Sequence, residues 1–175
     1  MPNTWPMQAG CDAFYGNPRG RNGTASASWI KANLVTVPVP WKMRTAWEPG
    51  SSVSRIQIHN RCSGSLARVL AAIWEKAGKR QDVIETWGMH LFGGSFAFRT
   101  MRGSSRLSMH SWGCAVDFDP ARNGLGDYTP AFQPDHAVVL AFKAEGWVWG
   151  GDWDGNGRVS DERRPDAMHF QAARV

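Results

Sequence analysis

What restricts this chain most is the run Ser108-Met109-His110-Ser111-Trp112-Gly113-Cys114-Ala115-Val116-Asp117-Phe118-Asp119. Cys114, Val116 and Phe118 alternate with Ala115, Asp117 and Asp119, so a strand over Ala115 to Asp119 puts its carboxylates on the face opposite the apolar side chains. Gly113, just ahead of that strand, allows a turn sharp enough to bring His110 over the same face as Asp117. An imidazole and a carboxylate are both good zinc ligands, but a catalytic zinc needs three protein ligands and an open position for water. The chain has five histidines. One of them, His169, sits in Asp166-Ala167-Met168-His169-Phe170 on a strand predicted over Ala167 to Gln171, with an acid three residues upstream.

The chemistry explains these residue types. Zinc bound by His110, Asp117 and His169 would acidify a water and polarise a carbonyl. A nearby carboxylate must then take the water's proton and pass it to the leaving amine. Asp166 fits that role, because Asp117 is spent on the metal. Arg99, ending a strand predicted over Phe96 to Arg99, offers a planar fork to a developing oxyanion or a substrate carboxylate. A single histidine beside a glycine is more often structural, so the zinc reading rests on the joint pattern. His59, His90 and His136 read as surface or core residues. Asp119 either orients a ligand or begins a turn with Pro120. Trp112, Trp147, Trp149 and Trp153 either wall a groove or pack a core.

The rest of the chain bounds the fold. At 175 residues it fits one domain spanning 1–175, with an irregular Gly- and Pro-rich wrap over about 1–50 and the metal and catalytic motifs within 99–170. Ser54 to His59 alternates as a half-buried strand. Leu66, Val69, Leu70, Ile73 and Trp74 recur at helical spacing, predicting a helix over about 64–77, capped by Ser63 or Ser65 and stopped at Gly78. A second helix follows Pro134-Asp135, carries Val138, Val139 and Phe142, and ends at Gly146. Short strands are also predicted at Val83 to Thr86 and Trp147 to Trp149. The expected class is α+β, a small antiparallel sheet with flanking helices and the zinc site on the sheet face.

Ten tryptophans and nineteen glycines suggest aromatic-lined grooves and many tight turns. The net charge of +5 favours anionic surroundings, although ordinary solubilising charge reads equally well. Lysine and arginine are not concentrated on any element with aromatic spacing, which speaks against nucleic acid. Cys11, Cys62 and Cys114 form no Cys-x-x-Cys pair, so reduced thiols are expected. Met1 to Gly10 lacks a cationic start and an apolar core, and no stretch is long and apolar enough to span a membrane. The expectation is a soluble monomer made and kept in the cytoplasm, without a signal peptide or membrane insertion, that needs help if its target lies outside.

Three separated motifs then carry a resemblance. Ser-x-His-x-x-Gly-x-Ala-x-Asp at 108 to 117, Gly146-Trp147-Val148-Trp149-Gly150-Gly151-Asp152-Trp153 and Asp166-Ala167-Met168-His169-Phe170 closely resemble the D-alanyl-D-alanine carboxypeptidase (VanY-like) group of zinc peptidases, which includes phage L-alanyl-D-glutamate endolysins. The resemblance covers about residues 80 to 173. It implies the peptidase fold shared with hedgehog signalling domains, His110, Asp117 and His169 as zinc ligands, Asp166 as catalytic acid/base, Arg99 as transition-state arginine and Ser108 as a substrate contact. The implied substrate is the stem peptide of peptidoglycan. Cleavage between L-alanine and D-glutamate is the first expectation, and a D-Ala-D-Ala carboxypeptidase or dipeptidase the second. A wall-binding module without turnover is a rival from another class, against which Asp166 and Arg99 argue.

One insert departs from that pattern. From Asp152 to Arg163, oxygen donors stand where an EF-hand loop has its first ligands, with Gly157 at the sixth place. Asp152, Asp154, Asn156, Arg158, Asp161 and Glu162 are the candidate calcium residues. Arg163 stands where the closing glutamate belongs, so a calcium site must close irregularly, and a plain Gly-Asp turn is the other reading.

Overall fold

The first fifty residues, expected as an irregular wrap, contain regular elements. In the computed structural model, which describes residues 4–175, they hold α1 (Cys11–Tyr15), α2 (Ala27–Asn33), β1 (Leu34–Pro38) and β2 (Arg44–Thr45). Residues 1–3 of the segment expected to carry no signal lie outside the described residues. α2 starts where the Ser26 hydroxyl accepts from the Trp29 N–H. The buried Trp29 indole donates to the Tyr15 carbonyl at 3.0 Å, tying α2 to α1. β1 has its partner far along the chain: it pairs antiparallel with β3 (Arg55–His59), Leu34 opposite His59. A lone strand has no local signal strong enough to announce such a pairing.

The longest helix, α3 (Asn60–Lys76), starts earlier than expected. Its cap is His59, not Ser63 or Ser65: Nδ1 of His59 accepts from the Arg61 N–H at 3.1 Å, while Nε2 faces the Tyr15 carbonyl at 3.0 Å. Ser65 is buried inside the helix, donating to the Glu145 carboxylate and accepting from the Trp147 indole, each at 2.9 Å. The predicted stripe is buried at Leu66, Val69, Leu70 and Ile73. Beyond Ala77, Gly78 takes φ 65° and stops the helix.

Val83 to Thr86 is not a strand. It belongs to α4 (Gln81–Thr86), where Ile84 alone is buried. Its β-branched residues favour a strand only where a partner strand lies beside them, and here none does among the described residues. β4 (Leu91–Gly94) then enters the sheet, followed by β5 (Ala115–Phe118), α5 (Ala137–Ala144), β6 (Val148–Trp149) and β7 (His169–Gln171). The main sheet has five strands in the order β2-β4-β5-β7-β6. Its pairs are antiparallel except β2 with β4, which are parallel, so the sheet is mixed at one edge.

Phe96 to Arg99 is no strand either. The Ala97 N–H donates to the His110 carbonyl and the Arg99 N–H to the Ser111 hydroxyl, so a short 3₁₀ turn holds the segment where a ladder was expected. α5 covers one face of the sheet. Phe142 stacks on Phe170 of β7 with ring centroids 4.1 Å apart and lies 6.3 Å from Phe118 of β5. Because side chains alternate along a strand, Asp117, His169 and Gln171 emerge on the opposite face. The two ends of the described chain meet beside it: the Gln8 N–H donates to the Arg174 carbonyl and the Arg174 N–H to the Pro6 carbonyl.

Candidate metal centre and cleft

Three elements deliver the candidate ligands. His110 rides on the 3₁₀ turn Met109–Trp112, where its own N–H donates to the capping Ser108 hydroxyl at 3.4 Å. Gly113 ends that turn in the left-handed region at φ 61°, and a Cβ there would lie 2.7 Å from Leu34 Cδ2. Glycine is therefore required both by the turn and by the space. Asp117 and His169 face each other directly across β5 and β7. Gly93 of β4 lets the neighbouring strand close in, since a Cβ there would lie 2.9 Å from Asp117 Cβ.

His110 Nε2 and His169 Nδ1 are 3.2 Å apart. Asp117 places Oδ1 2.9 Å from His169 Nδ1 and Oδ2 3.2 Å from His110 Nε2. All three residues are buried. The outer nitrogens determine the inner ones. His110 Nδ1 lies 2.5 Å from the Ser95 carbonyl, which only accepts, so Nδ1 carries the proton and Nε2 presents a lone pair. His169 Nε2 lies 3.1 Å from Gln171 Oε1, and the Gln171 amide nitrogen donates to the Ala173 carbonyl at 2.8 Å, which fixes the amide's orientation. Nε2 of His169 therefore carries its proton and Nδ1 presents a lone pair inward. Two lone pairs and a carboxylate converge at hydrogen-bond distances with no proton of their own, an arrangement that calls for a cation. Two imidazoles and one carboxylate suit zinc, and the outer partners are those that orient metal-bound histidines.

Without a cation a proton takes that place. Burial favours the neutral forms, but the hydrogen bonds and mutual charge outweigh it: Asp117 is held below the usual carboxylate range and His169 is raised above an ordinary histidine. Ser95 and Gln171 escaped the sequence reading. Gln171 had a readable signal, since it stands two residues after His169 on the same strand face; Ser95 contributes a backbone carbonyl and had none.

Asp166 lies in the same cleft. Burial pushes its carboxyl above the usual range, and Oδ1 is buried without a hydrogen-bond partner. Its N–H donates to the Gly150 carbonyl at 2.7 Å and its carbonyl accepts from the His169 N–H at 3.0 Å, so the acid and the ligand share one turn. The cleft, about 410 Å³, is lined by Arg99, Ser108, Trp153 and Asp166 beside the three candidate ligands. Arg99 is exposed, its guanidinium held among the described residues only by a 3.4 Å contact to the Thr100 carbonyl. Arg102, Arg163 and Arg164 also line it, making the mouth strongly cationic. Trp153 lies 5.8 Å from the His169 ring and walls the groove, whereas Trp147 and Trp149 are buried in the core. Asp119 turns away: it takes φ 48° and binds Arg122 at 2.6 Å.

The polar insert brings part of its expected cluster together. The carboxylates of Asp152, Asp154 and Glu162 offer oxygens within 4.8 Å of one another. Glu162 takes the closing position one residue early, accepting from the Trp153 N–H at 2.5 Å and the Asp154 N–H at 3.3 Å. Asn156 donates to Asp154 and Asp161 and accepts from the Arg158 N–H, so those three frame the loop. The Lys143 ammonium already lies 2.6 Å from Asp152 Oδ2, while Asp152 Oδ1 is buried without a partner.

Fold and site together define a mixed α+β chain with a His-Asp-His cluster of metal-binding type in a cationic cleft. A family model described as D-alanyl-D-alanine carboxypeptidase matches residues 102–172, which include Ser108, His110, Asp117, Asp166 and His169. The match supports that family, and with it a hydrolase of the metallopeptidase kind for which zinc dependence is implied. No curated protein and no solved structure matches the chain significantly. Among the described residues no helix is long and apolar enough to cross a membrane.

Proposed function

We propose that this chain is a zinc metallopeptidase that cleaves the stem peptides of peptidoglycan, acting as an L-alanyl-D-glutamate endopeptidase of the phage-endolysin kind. The observation that carries the reading is the convergence of three inward-facing ligand atoms beside the half-buried Asp166 carboxyl. Zinc held by His110, Asp117 and His169 would supply Lewis acidity and an acidified water. Asp166, with its raised affinity for protons, takes the proton of the attacking water and returns it to the leaving amine. Arg99 faces the developing oxyanion, and Ser108 contacts the substrate backbone. The cationic mouth suits a peptide rich in carboxylates, which the stem peptide is.

A D-Ala-D-Ala carboxypeptidase is the second reading, favoured by the description of the matching family model. A second cavity adjoining the cleft at Gln8, Met101 and Met109 favours a substrate extending on both sides of the scissile bond. The enzyme works as a monomer made in the host bacterium and reaching the wall on release. The loop from Asp152 to Glu162 takes calcium as a structural ion once Lys143 yields Asp152. Titration calorimetry of the zinc-loaded protein should show calcium heat that Asp154→Ala removes; absence of heat in the parent protein sinks this part.

The decisive experiment digests purified Gram-negative sacculi with zinc-loaded protein and with Asp166→Ala, followed by mass spectrometry of the soluble fragments. New amino termini on D-glutamate, lost in the variant, are expected. Release of terminal D-alanine would establish the carboxypeptidase instead, and binding without any cleavage would leave a wall-binding module.

A further inference from the structure

Beside the metal-centre cleft lies a second cavity of about 180 Å³, and part of its wall comes from the N-terminal segment that matches no family motif. Gln8, Met101 and Met109 line both cavities, so the two adjoin. The wall between them is the base of a loop closed by the Thr100 and Leu107 bridge, with the Met101 N–H donating to the Arg106 carbonyl at 2.8 Å. A peptide extended from the metal centre over Met101 would reach this second cavity.

Its lining limits what it can hold. Met101, Leu107 and Met109 offer an aliphatic channel sized for one side chain. A sugar finds no aromatic platform there: the Trp112 ring is covered by the Arg19 guanidinium at 5.8 Å, and its N–H is committed to Asp12 at 3.1 Å. An ammonium finds no free anion either. Asp12 accepts from Arg19 through both oxygens, at 2.9 and 2.8 Å, and from Trp112 as well. Arg106 differs: it lines the cavity at its exposed rim, and its guanidinium has no hydrogen-bond or ion-pair partner among the described residues. Gln8, half-buried, adds a side-chain amide without a partner there.

We propose that this cavity is a specificity subsite for an aliphatic side chain ending in a carboxylate, with Arg106 reading the carboxylate. The proposal rests on the peptidase reading above and deepens it, because it selects stem peptides whose third residue ends in a carboxylate over those ending in an ammonium. A guanidinium binds a carboxylate through two parallel hydrogen bonds and repels an ammonium, which makes the choice a difference in charge and not in length.

The test uses three peptides, L-Ala-γ-D-Glu-X-D-Ala, with X as norleucine, lysine or 2-aminopimelate. Affinities are measured by calorimetry on zinc-loaded protein carrying Asp166→Asn, so that binding is read without turnover. The 2-aminopimelate peptide is expected to bind about tenfold more tightly than the norleucine peptide, and lysine more weakly than either. Adding Arg106→Gln should bring the 2-aminopimelate to norleucine ratio to about one, while the distant Arg21→Gln leaves it at about ten. A ratio near one with Arg106 in place, a ratio that survives Arg106→Gln, a preference for lysine, or no binding of any peptide overturns the subsite. Hydrolysis of the same peptides by the unsubstituted enzyme separates the two readings. Arg106-dependent binding without cleavage sinks the peptidase and keeps the subsite; cleavage indifferent to Arg106 does the reverse.

Discussion

At the scale of single residues, the centre depends on protons being placed by partners outside it. Gln171 holds the His169 proton on Nε2 and so frees Nδ1 for a metal. Replacing it with leucine should lower zinc affinity by about 10- to 100-fold, measured by competition with a chromophoric chelator; unchanged affinity would remove Gln171 from the site. Gly93 acts through space, because a methyl group there pushes against Asp117. Asp166 has a readout in pH. Its carboxyl is raised by burial, so in the metal-free protein the basic form that the proposed role requires is lost as pH falls through a value above the usual carboxylate range. Bound zinc favours the carboxylate, so the acid limb of kcat/KM should lie below that raised value and vanish in Asp166→Asn. Asp166→Asn should cost about 10²- to 10⁴-fold in turnover while zinc content stays at one per chain. Loss of zinc in that variant would place Asp166 among the ligands instead. The pattern of His110, Asp117 and His169 was legible in sequence because strand alternation and the Gly113 turn are local rules. Ser95 was not, since a backbone carbonyl leaves no trace in residue identity.

At the scale of elements, the two longer helices start on histidines. His59 Nδ1 accepts from Arg61 and His136 Nδ1 from Val138, so each cap exists only while its ring is neutral. Burial lowers the affinity of both rings for protons. The folded state therefore binds fewer protons than the unfolded state, and stability is full above the unfolded histidine value of about 6.5 and lost as pH falls from there towards the lowered folded values. His136→Asn keeps a capping acceptor without titrating. Urea unfolding of zinc-loaded protein between pH 8 and pH 5 should show a smaller loss for the variant, by about 0.5–2 kcal/mol at the acid end. Equal slopes would show that the His136 cap does not titrate. Sequence spacing found the buried stripe of α3 but missed its start, because serine is the commoner cap and the buried ring of His59 is set by Tyr15, far along the chain. Val83 to Thr86 went the other way: its β-branched residues met no partner strand, and local helical hydrogen bonds prevailed.

At the scale of the whole molecule, the candidate centre ties β5, β7 and the turn Met109–Trp112 together, on the sheet face away from α5. Zinc removed from the proposed site would leave a buried cluster that must hold a proton in the metal's place, and any ligand that binds only the folded state stabilises it by mass action. Scanning calorimetry should therefore show a lower Tm after chelation, restored by one equivalent of zinc and insensitive to zinc in Asp117→Asn. An unchanged Tm would mean that the cluster does not hold the ion in the folded protein. The three cysteines are buried and unpaired, and burial pushes the Cys62 thiol up to about 12. Local periodicity alone determined the stripe of α3, the face of β5 that bears Asp117, and the presence of a second acid and imidazole on one short segment. Only the tertiary structure decided that β1 pairs with β3, that β4 lies against Asp117, that Gln171 and Ser95 set the tautomers, and that the N-terminal segment walls a second cavity. The physical reason is range: alternation and helical spacing act between neighbours in the chain, whereas pairing partners, close glycine contacts and cavity walls come from residues brought together only when the core forms.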